Sequence, residues 1–199
     1  MVQSPPVKSL IMDANTLPII MTPRVMLRWI SEDDIDGLYD VFSDPQVARY
    51  WSAPPLANRE AAAEMQREIA AGNESETMLK WGLALRESNA LIGTATLFNL
   101  SLDNGRAEIG YALARAYWGK GYMTEALQAL ILHAFQVMQL RRLEADVDPR
   151  NSASIRTLER LGFQREGFLR ERWHVDGEIQ DAFFYGLLRR EWSGGVRSS

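Results

Sequence analysis

The segment Tyr117–Leu127, YWGKGYMTEAL, sets two glycines around a lysine and then begins a strongly helical run. Such residues at a helix start suit an anion. The first turn of a helix exposes unpaired N–H groups and carries roughly half a positive charge. Glycines let a phosphate approach those N–H groups closely. Gly119 and Gly121 follow a strand-like run and open a helix, so pyrophosphate is a reasonable ligand; a plain turn with a helix cap is the other reading. Two rival phosphate motifs fail in detail. A P-loop would need glycine at 114 and Ser or Thr at 121, where the chain has Ala114 and Gly121. A dinucleotide fingerprint would need a third small residue at 124, where Thr124 stands.

Composition narrows the classes further. The 199 residues suffice for one domain with a real core. Apolar residues at 46% and charged residues at 24% are ordinary for a globular chain. A net charge of −4 without a basic stripe argues against nucleic acid and leans weakly towards a cationic substrate. There are no cysteines, which excludes disulfides, thiolate metal sites and a cysteine nucleophile and fits a reducing, cytoplasmic compartment. No apolar run approaches the roughly 20 residues that span a bilayer. Two isolated histidines, His133 and His174, make no metal site; His133 reads as packing.

The elements around the turn can be read from periodicity. Residues 1–22, with Pro5, Pro6 and Pro18, read as a loose arm, 23–192 as a single domain and 193–199 as a frayed tail. RVMLRWI (24–30) looks like a first strand. Residues 31–42 follow as a helix with Ser31 as its cap, Asp44-Pro45 starts a turn or a short helix, and Arg59 to Ala71 is a helix closed by Gly72-Asn73. Three strand-like runs, 78–87, 90–100 and 106–114, are joined by tight turns and imply an antiparallel meander. Met123, Leu127, Leu130, Ile131, Ala134, Phe135 and Met138 form the apolar stripe of a long helix. A strand at 141–148, a helix from Asn151 to Leu161 and two paired strands at 163–175 and 181–192 complete a mixed α/β layer around a largely antiparallel sheet.

Four segments, in this order, carry a family resemblance: RVMLRWISEDD (24–34), AEIGYALARAYWGKGYMTEAL (107–127), NSASIRTLERLGFQREG (151–167) and DAFFYGLLRREW (181–192). Over most of residues 24–192 the chain resembles the GNAT superfamily of acetyl-CoA-dependent N-acetyltransferases, and within it the branch of Rim-type ribosomal-protein N-terminal acetyltransferases. The resemblance implies a GNAT fold with about seven strands and about four helices. It implies that the backbone of Trp118, Gly119, Lys120, Gly121, Tyr122, Met123 and Thr124 wraps the coenzyme A pyrophosphate. It implies that the strand end near Leu113 pairs with the pantetheine arm, where the family's fourth and fifth strands splay. It also implies that Asn151 hydrogen-bonds that arm; as an N-cap, the same residue would start the next helix. Ala116 stands where the family usually has Gln or Arg, with Arg115 one position off. Leu158 stands where many members have an acidic tyrosine, whereas Ser154 matches the serine of the Rim branch.

Acetyl transfer to an amine needs a neutral amine, a stabilised thioester oxygen and a protonated leaving thiolate. An α-amine has a pKa of about 8 and a lysine about 10.4, so a base helps at neutral pH. Glu108 is the candidate base: it shares a strand face with Gly110 and Ala112, opposite Ile109 and Tyr111, and a carboxylate among small residues suggests a cleft. A salt-bridged strand glutamate is the plain alternative. Ser154 is the candidate acid, with a first-turn helix serine as its alternative. Without cysteine, direct attack in a ternary complex is expected. Trp51 reads as core or as a wall of the acceptor pocket; Tyr185 and Trp192 read as structural. The acceptor is a protein N-terminus or a small amine, including an amine-bearing drug or metabolite. A non-catalytic acyl-CoA-binding module is the reading from another class. The family admits a homodimer, and neither a nucleic acid nor a membrane is an expected partner.

Overall fold

The computed structural model describes residues 17–51, 53–175 and 177–194. Its elements in chain order are β1 (Ile20–Met21), β2 (Val25–Arg28), α1 (Ile35–Phe42), α2 (Pro45–Ala48), α3 (Arg59–Glu74), β3 (Met78–Leu85), β4 (Leu91–Ser101), β5 (Arg106–Leu113), α4 (Tyr122–Gln136), β6 (Arg142–Val147), α5 (Ser152–Arg160), β7 (Gln164–Val175) and β8 (Glu178–Leu188). One sheet of eight strands runs in the order β1-β2-β3-β4-β5-β6-β8-β7. All neighbours pair antiparallel except β5 and β6, which are parallel. This is the mixed α/β architecture, mostly antiparallel, that the resemblance implies. The strand beyond the expected about seven is the short β1. The helix beyond about four is α2, one turn started by Pro45 and by the Asp44 side chain accepting from the Gln46 N–H.

The expected loose arm extends too far into the domain. Ile20 and Met21 pair with Leu27 and Met26, Leu17 is buried, and the Trp81 indole N–H donates to the Pro18 carbonyl at 3.0 Å. Residues 1–16 and 195–199, which hold the rest of the expected arm and most of the tail, lie outside the described residues, as does Asp176 of the last turn. Helix α3 also runs past its predicted stop. Gly72 packs inside α3 against Met78, whose Cε and Cγ a Cβ would meet at 2.7 and 2.9 Å. Asn73 clamps β3: its Oδ1 accepts from the Lys80 N–H at 2.7 Å and its Nδ2 donates to the Lys80 carbonyl at 3.1 Å. The last strand starts earlier and ends earlier than expected, at Leu188, where a 3-10 turn of Arg189–Glu191 takes over.

The sheet divides two cores. On one side α4 and α5 bury Leu127, Leu130, Ile131, Leu158 and Leu161 against Trp81, Leu97, Ile109 and Tyr185. Fully burying each such aliphatic side chain contributes about 1.5–3 kcal/mol. On the other side α1 and α3 cover Ile30, Leu91 and Ala112 with Leu38, Phe42 and Ile69. His133 lies on the first side as read from sequence, edge-on to Trp81 at 6.1 Å, and burial pushes its pKa down. Trp51 packs edge-on to Phe42 at 5.2 Å in the second core.

The entry to α1 depends on one ion pair. Arg28 Nη1 and Nη2 donate to Asp34 at 2.7 and 2.8 Å, and the Ser31 N–H donates to the same carboxylate at 2.8 Å. Burial pushes the Asp34 pKa up, but the bonds from Arg28 and Ser31 outweigh it and hold the group below its ordinary value. With the folded pKa depressed, this stabilisation is present above about pH 4 and is lost as pH falls through the folded value. Asp34→Ala strands a nearly buried guanidinium and is expected to cost about 3 kcal/mol in urea unfolding at pH 7, with the difference from wild type shrinking at acid pH.

Candidate active site

Strands β5 and β6 touch over three residue pairs only: Arg106–Arg142, Ala107–Leu143 and Glu108–Glu144. Beyond Glu108 they separate into a wedge. The Ala114 N–H donates to the Ile92 carbonyl, which fixes the alternation of β5 against β4. Ala112 and Gly110 therefore spend their backbone groups on β4, and Ile109, Tyr111 and Leu113 direct theirs into the wedge. An extended chain of amides could pair there as an extra strand. One acceptor is shared: the Trp118 indole N–H donates to the Leu113 carbonyl at 2.7 Å.

The glycine turn stands at the open end of the wedge. Gly119 has φ +72 and Gly121 φ +80, in the left-handed region that favours glycine. Gly121 caps α4, and the first intrahelical bond runs from the Glu125 N–H to its carbonyl. The N–H groups of Tyr122, Met123 and Thr124 precede that bond and have no intrahelical partner. Met123 contributes backbone alone, since its side chain is in the core. Arg24 holds the turn from behind: Nη1 donates to the Lys120 carbonyl at 2.9 Å and Nε to Glu125 at 2.6 Å. Burial raises the Glu125 pKa, yet bonds from Thr22 and Arg24 outweigh this and keep the carboxyl below its usual value. Lys120 rests over the Tyr117 ring at 5.6 Å. Arg115 is tied to Asp44 at 2.8 Å and is thereby drawn away from the turn.

Helix α5 forms the other wall. Asn151 caps it, its Oδ1 accepting from the Ser154 N–H at 3.1 Å, which leaves the two amide donors of Nδ2 for a ligand. Ser154 is half-buried in the first turn. Leu158 is buried in the main core. The hydroxyl that the sequence reading missed is Tyr111. It crosses from β5 to α5 and donates to the Ser154 carbonyl at 3.3 Å. Burial pushes its pKa up to about 12, so it remains a proton donor at neutral pH. The strand alternation shows only that it faces away from Glu108; its contact with α5 is not visible in the local pattern.

Glu108 emerges on the opposite face of the sheet, 7% exposed, with Oε1 accepting from Asn99 Nδ2 at 3.0 Å. The expected roominess beside it is smaller than read: a Cβ at Gly110 would meet the Phe98 ring at 3.2 Å. Its register partner Glu144 is paired twice, with Arg106 and with Arg142, both at 2.7 Å.

Residues 24–164 match the family model described as acetyltransferase (GNAT) domain. The chain belongs to the GNAT acetyltransferase family. It is an N-acetyltransferase by its relatives as well. An uncharacterized N-acetyltransferase p20 of Bacillus licheniformis is 37% identical over 175 residues, spanning 88% of this chain and 98% of that protein. The ribosomal protein uS5-alanine N-acetyltransferase of Escherichia coli is 25% identical over 181 residues, spanning 88% of this chain and 93% of that one. The crystal structure of a GNAT-family acetyltransferase from Bacillus anthracis superposes with a TM-score of 0.78 at 25% identity, covering 87% of this chain and 100% of that one. GNAT acetyltransferases use acetyl-CoA. In this one the wedge, the glycine turn and α5 converge on one side of β5, and Glu108 stands on the other side of the same strand.

Proposed function

We propose that this GNAT protein transfers the acetyl group of acetyl-CoA to a primary amine by direct attack in a ternary complex, in a reducing compartment such as the cytoplasm. The observation that carries the reading is the wedge between β5 and β6 ending at an open glycine turn. A ligand with an anionic end and an amide-bearing arm matches the two in sequence. The backbone of Trp118 to Thr124 would take the pyrophosphate, the edge of β5 at Tyr111 and Leu113 the arm, and Asn151 Nδ2 a carbonyl of that arm. When bound, acetyl-CoA supplies an activated thioester carbonyl.

The protein's own residues then manage protons. Glu108 accepts the proton that the amine must lose. At pH 7 roughly one α-amine in ten is neutral, and far fewer lysines. The amine nitrogen attacks the carbonyl carbon, the carbon–sulfur bond breaks, and the sulfur needs a proton. Ser154 is one donor. Tyr111, with a pKa of about 12, is the stronger acid of the two hydroxyls and touches the same turn of α5. Tyr111→Phe is expected to lower kcat about tenfold at unchanged acetyl-CoA affinity, and stability by about 1 kcal/mol for the lost tether. Stopped-flow thiol release with a thermal melt would check both.

The acceptor is an amine on a protein N-terminus or a small molecule. The E. coli relative, named for an alanine of ribosomal protein uS5, favours a protein acceptor. Calorimetric titration with acetyl-CoA, with ATP and NAD as controls, tests the cofactor. An acceptor screen by thiol release follows. A folded sample that binds no acetyl-CoA would defeat the enzymatic reading.

A further inference from the structure

Glu108 of β5 and Glu144 and Asp146 of β6 stand on one face of the sheet, and their partners differ. Arg142, Glu144 and Asp146 share one face of β6 by alternation, and Glu144 stands in register with Glu108. Glu144 is neutralised by two arginines. Asp146 is not. Its side chain is 8% exposed, its Oδ2 accepts from Arg172 Nε at 2.8 Å, and its Oδ1 is buried without a partner among the described residues. An unmatched buried carboxylate oxygen is costly, and such groups need an explanation.

The groups that attend Glu108 and Asp146 come from two strained points. Asn99, which donates to Glu108, has φ +48 at the register irregularity between Phe98 and Ser101 of β4. Glu171, next to Arg172, has φ +52 at the irregularity between Leu169 and Trp173 of β7. The Asp181 carboxylate holds that kink by accepting from the Glu171 N–H at 2.8 Å. Bulges re-aim side chains, and non-glycine residues in the left-handed region cluster at functional sites. One bulge supplies the donor to Glu108, the other the donor to Asp146.

Among the described residues Arg172 is the one cation bonded to Asp146, and its charge also feels Glu108. Its side chain is 40% exposed on the outermost strand, so solvent and solutes reach the pair from the guanidinium side. A competing cation can displace it.

We infer that Glu108 and Asp146 form a seat for the acceptor's ammonium group at the mouth of the wedge, and that Arg172 occupies this seat until the acceptor displaces it. The seat rests on the amine-acetylating reading and adds to it a residue and an order of events. The amine arrives charged, is held between the two carboxylates, and gives its proton to Glu108 there. The acceptor is therefore selected as an unhindered cation, and a neutral isostere is not taken.

Displacement can be followed without turnover. The Nε–H resonance of Arg172, assigned with Arg172→Gln, is recorded in 15N spectra of the full chain during titration with n-butylammonium chloride. Butanol and sodium chloride serve as controls. A saturable shift with butylammonium alone is expected, with affinity about tenfold or more weaker in Asp146→Asn. Arg172→Gln, which sits on the exposed hairpin and leaves Asp146 free, should bind butylammonium a few-fold more tightly by calorimetry. A shift that sodium chloride reproduces, equal affinity in Asp146→Asn, or weaker binding in Arg172→Gln would each overturn the inference. Acetyl-CoA titrated into the same samples judges the parent reading separately, since its failure removes the cofactor and leaves the ammonium result standing.

Discussion

Gly119→Val is expected to weaken acetyl-CoA binding by about a hundredfold while the protein stays folded. The two glycines of the turn are glycine for different reasons. At Gly121 an added Cβ would meet Arg24 Nη2 at 3.3 Å, the far end of a flexible side chain. At Gly119 an added Cβ would meet nothing within 4 Å. Packing therefore does not demand glycine at 119. Its left-handed φ of +72 makes a side chain costly, by about 1–2 kcal/mol, but a domain of this size tolerates that. The empty space above it is what a side chain would fill, and that space is the approach to the N–H groups at the start of α4. A phosphate held by several such N–H groups at close range loses charge-assisted bonds when pushed away, each stronger than a neutral one. Calorimetry with acetyl-CoA reads the loss, and a thermal melt separates it from unfolding. Gly119→Ala should fall between wild type and valine. Equal affinity in all three proteins would return the turn to a plain helix start.

Much of this arrangement could be read from local pattern. The turn, the Asn151 cap and the strand face of Glu108 depend on residues close in sequence, and each stands in the structure where the pattern put it. What stayed hidden depends on pairing between distant segments. Asp146 looked like the polar half of an alternating strand, because Leu143, Ala145 and Val147 account for the alternation. Its significance appears only when Arg172, 26 residues away, takes one carboxylate oxygen and leaves the other. Tyr111 carried no role in the pattern, which shows only that it faces away from Glu108; that its hydroxyl meets α5 is a strand–helix contact. Phe98 over Gly110 and the clamp of Asn73 on Lys80 are likewise cross-strand and helix–strand contacts that no local rule contains. Gly72 read as a helix stop because glycine often ends helices, whereas here it lies within α3, close against Met78.

Glu108→Gln is expected to reduce kcat by about a hundred- to a thousandfold at neutral pH, the range a positioned base contributes. The substitution preserves shape, and a glutamine carbonyl can still accept from Asn99 Nδ2, so the β4–β5 contact survives. Affinity for acetyl-CoA should not change, since the side chain projects from the face opposite to Tyr111 and α5. The pH dependence of the variant follows from the acceptor alone. Without a base, only the amine that is already neutral reacts, so the rate should climb about tenfold per pH unit below the acceptor's own pKa, about 8 for an α-amine, and level off above it. Wild type should exceed the variant most at low pH, where neutral amine is scarcest, and least at high pH. A salt-bridged structural glutamate would give a different result, namely a lower melting temperature with kcat and its pH profile intact. A module that only binds acyl-CoA would give a third, tight binding in both proteins and thiol release in neither. Steady-state thiol release across pH 6 to 10, with calorimetry on the same preparations, separates the three, because only a base at Glu108 couples the size of the loss to the protonation of the amine.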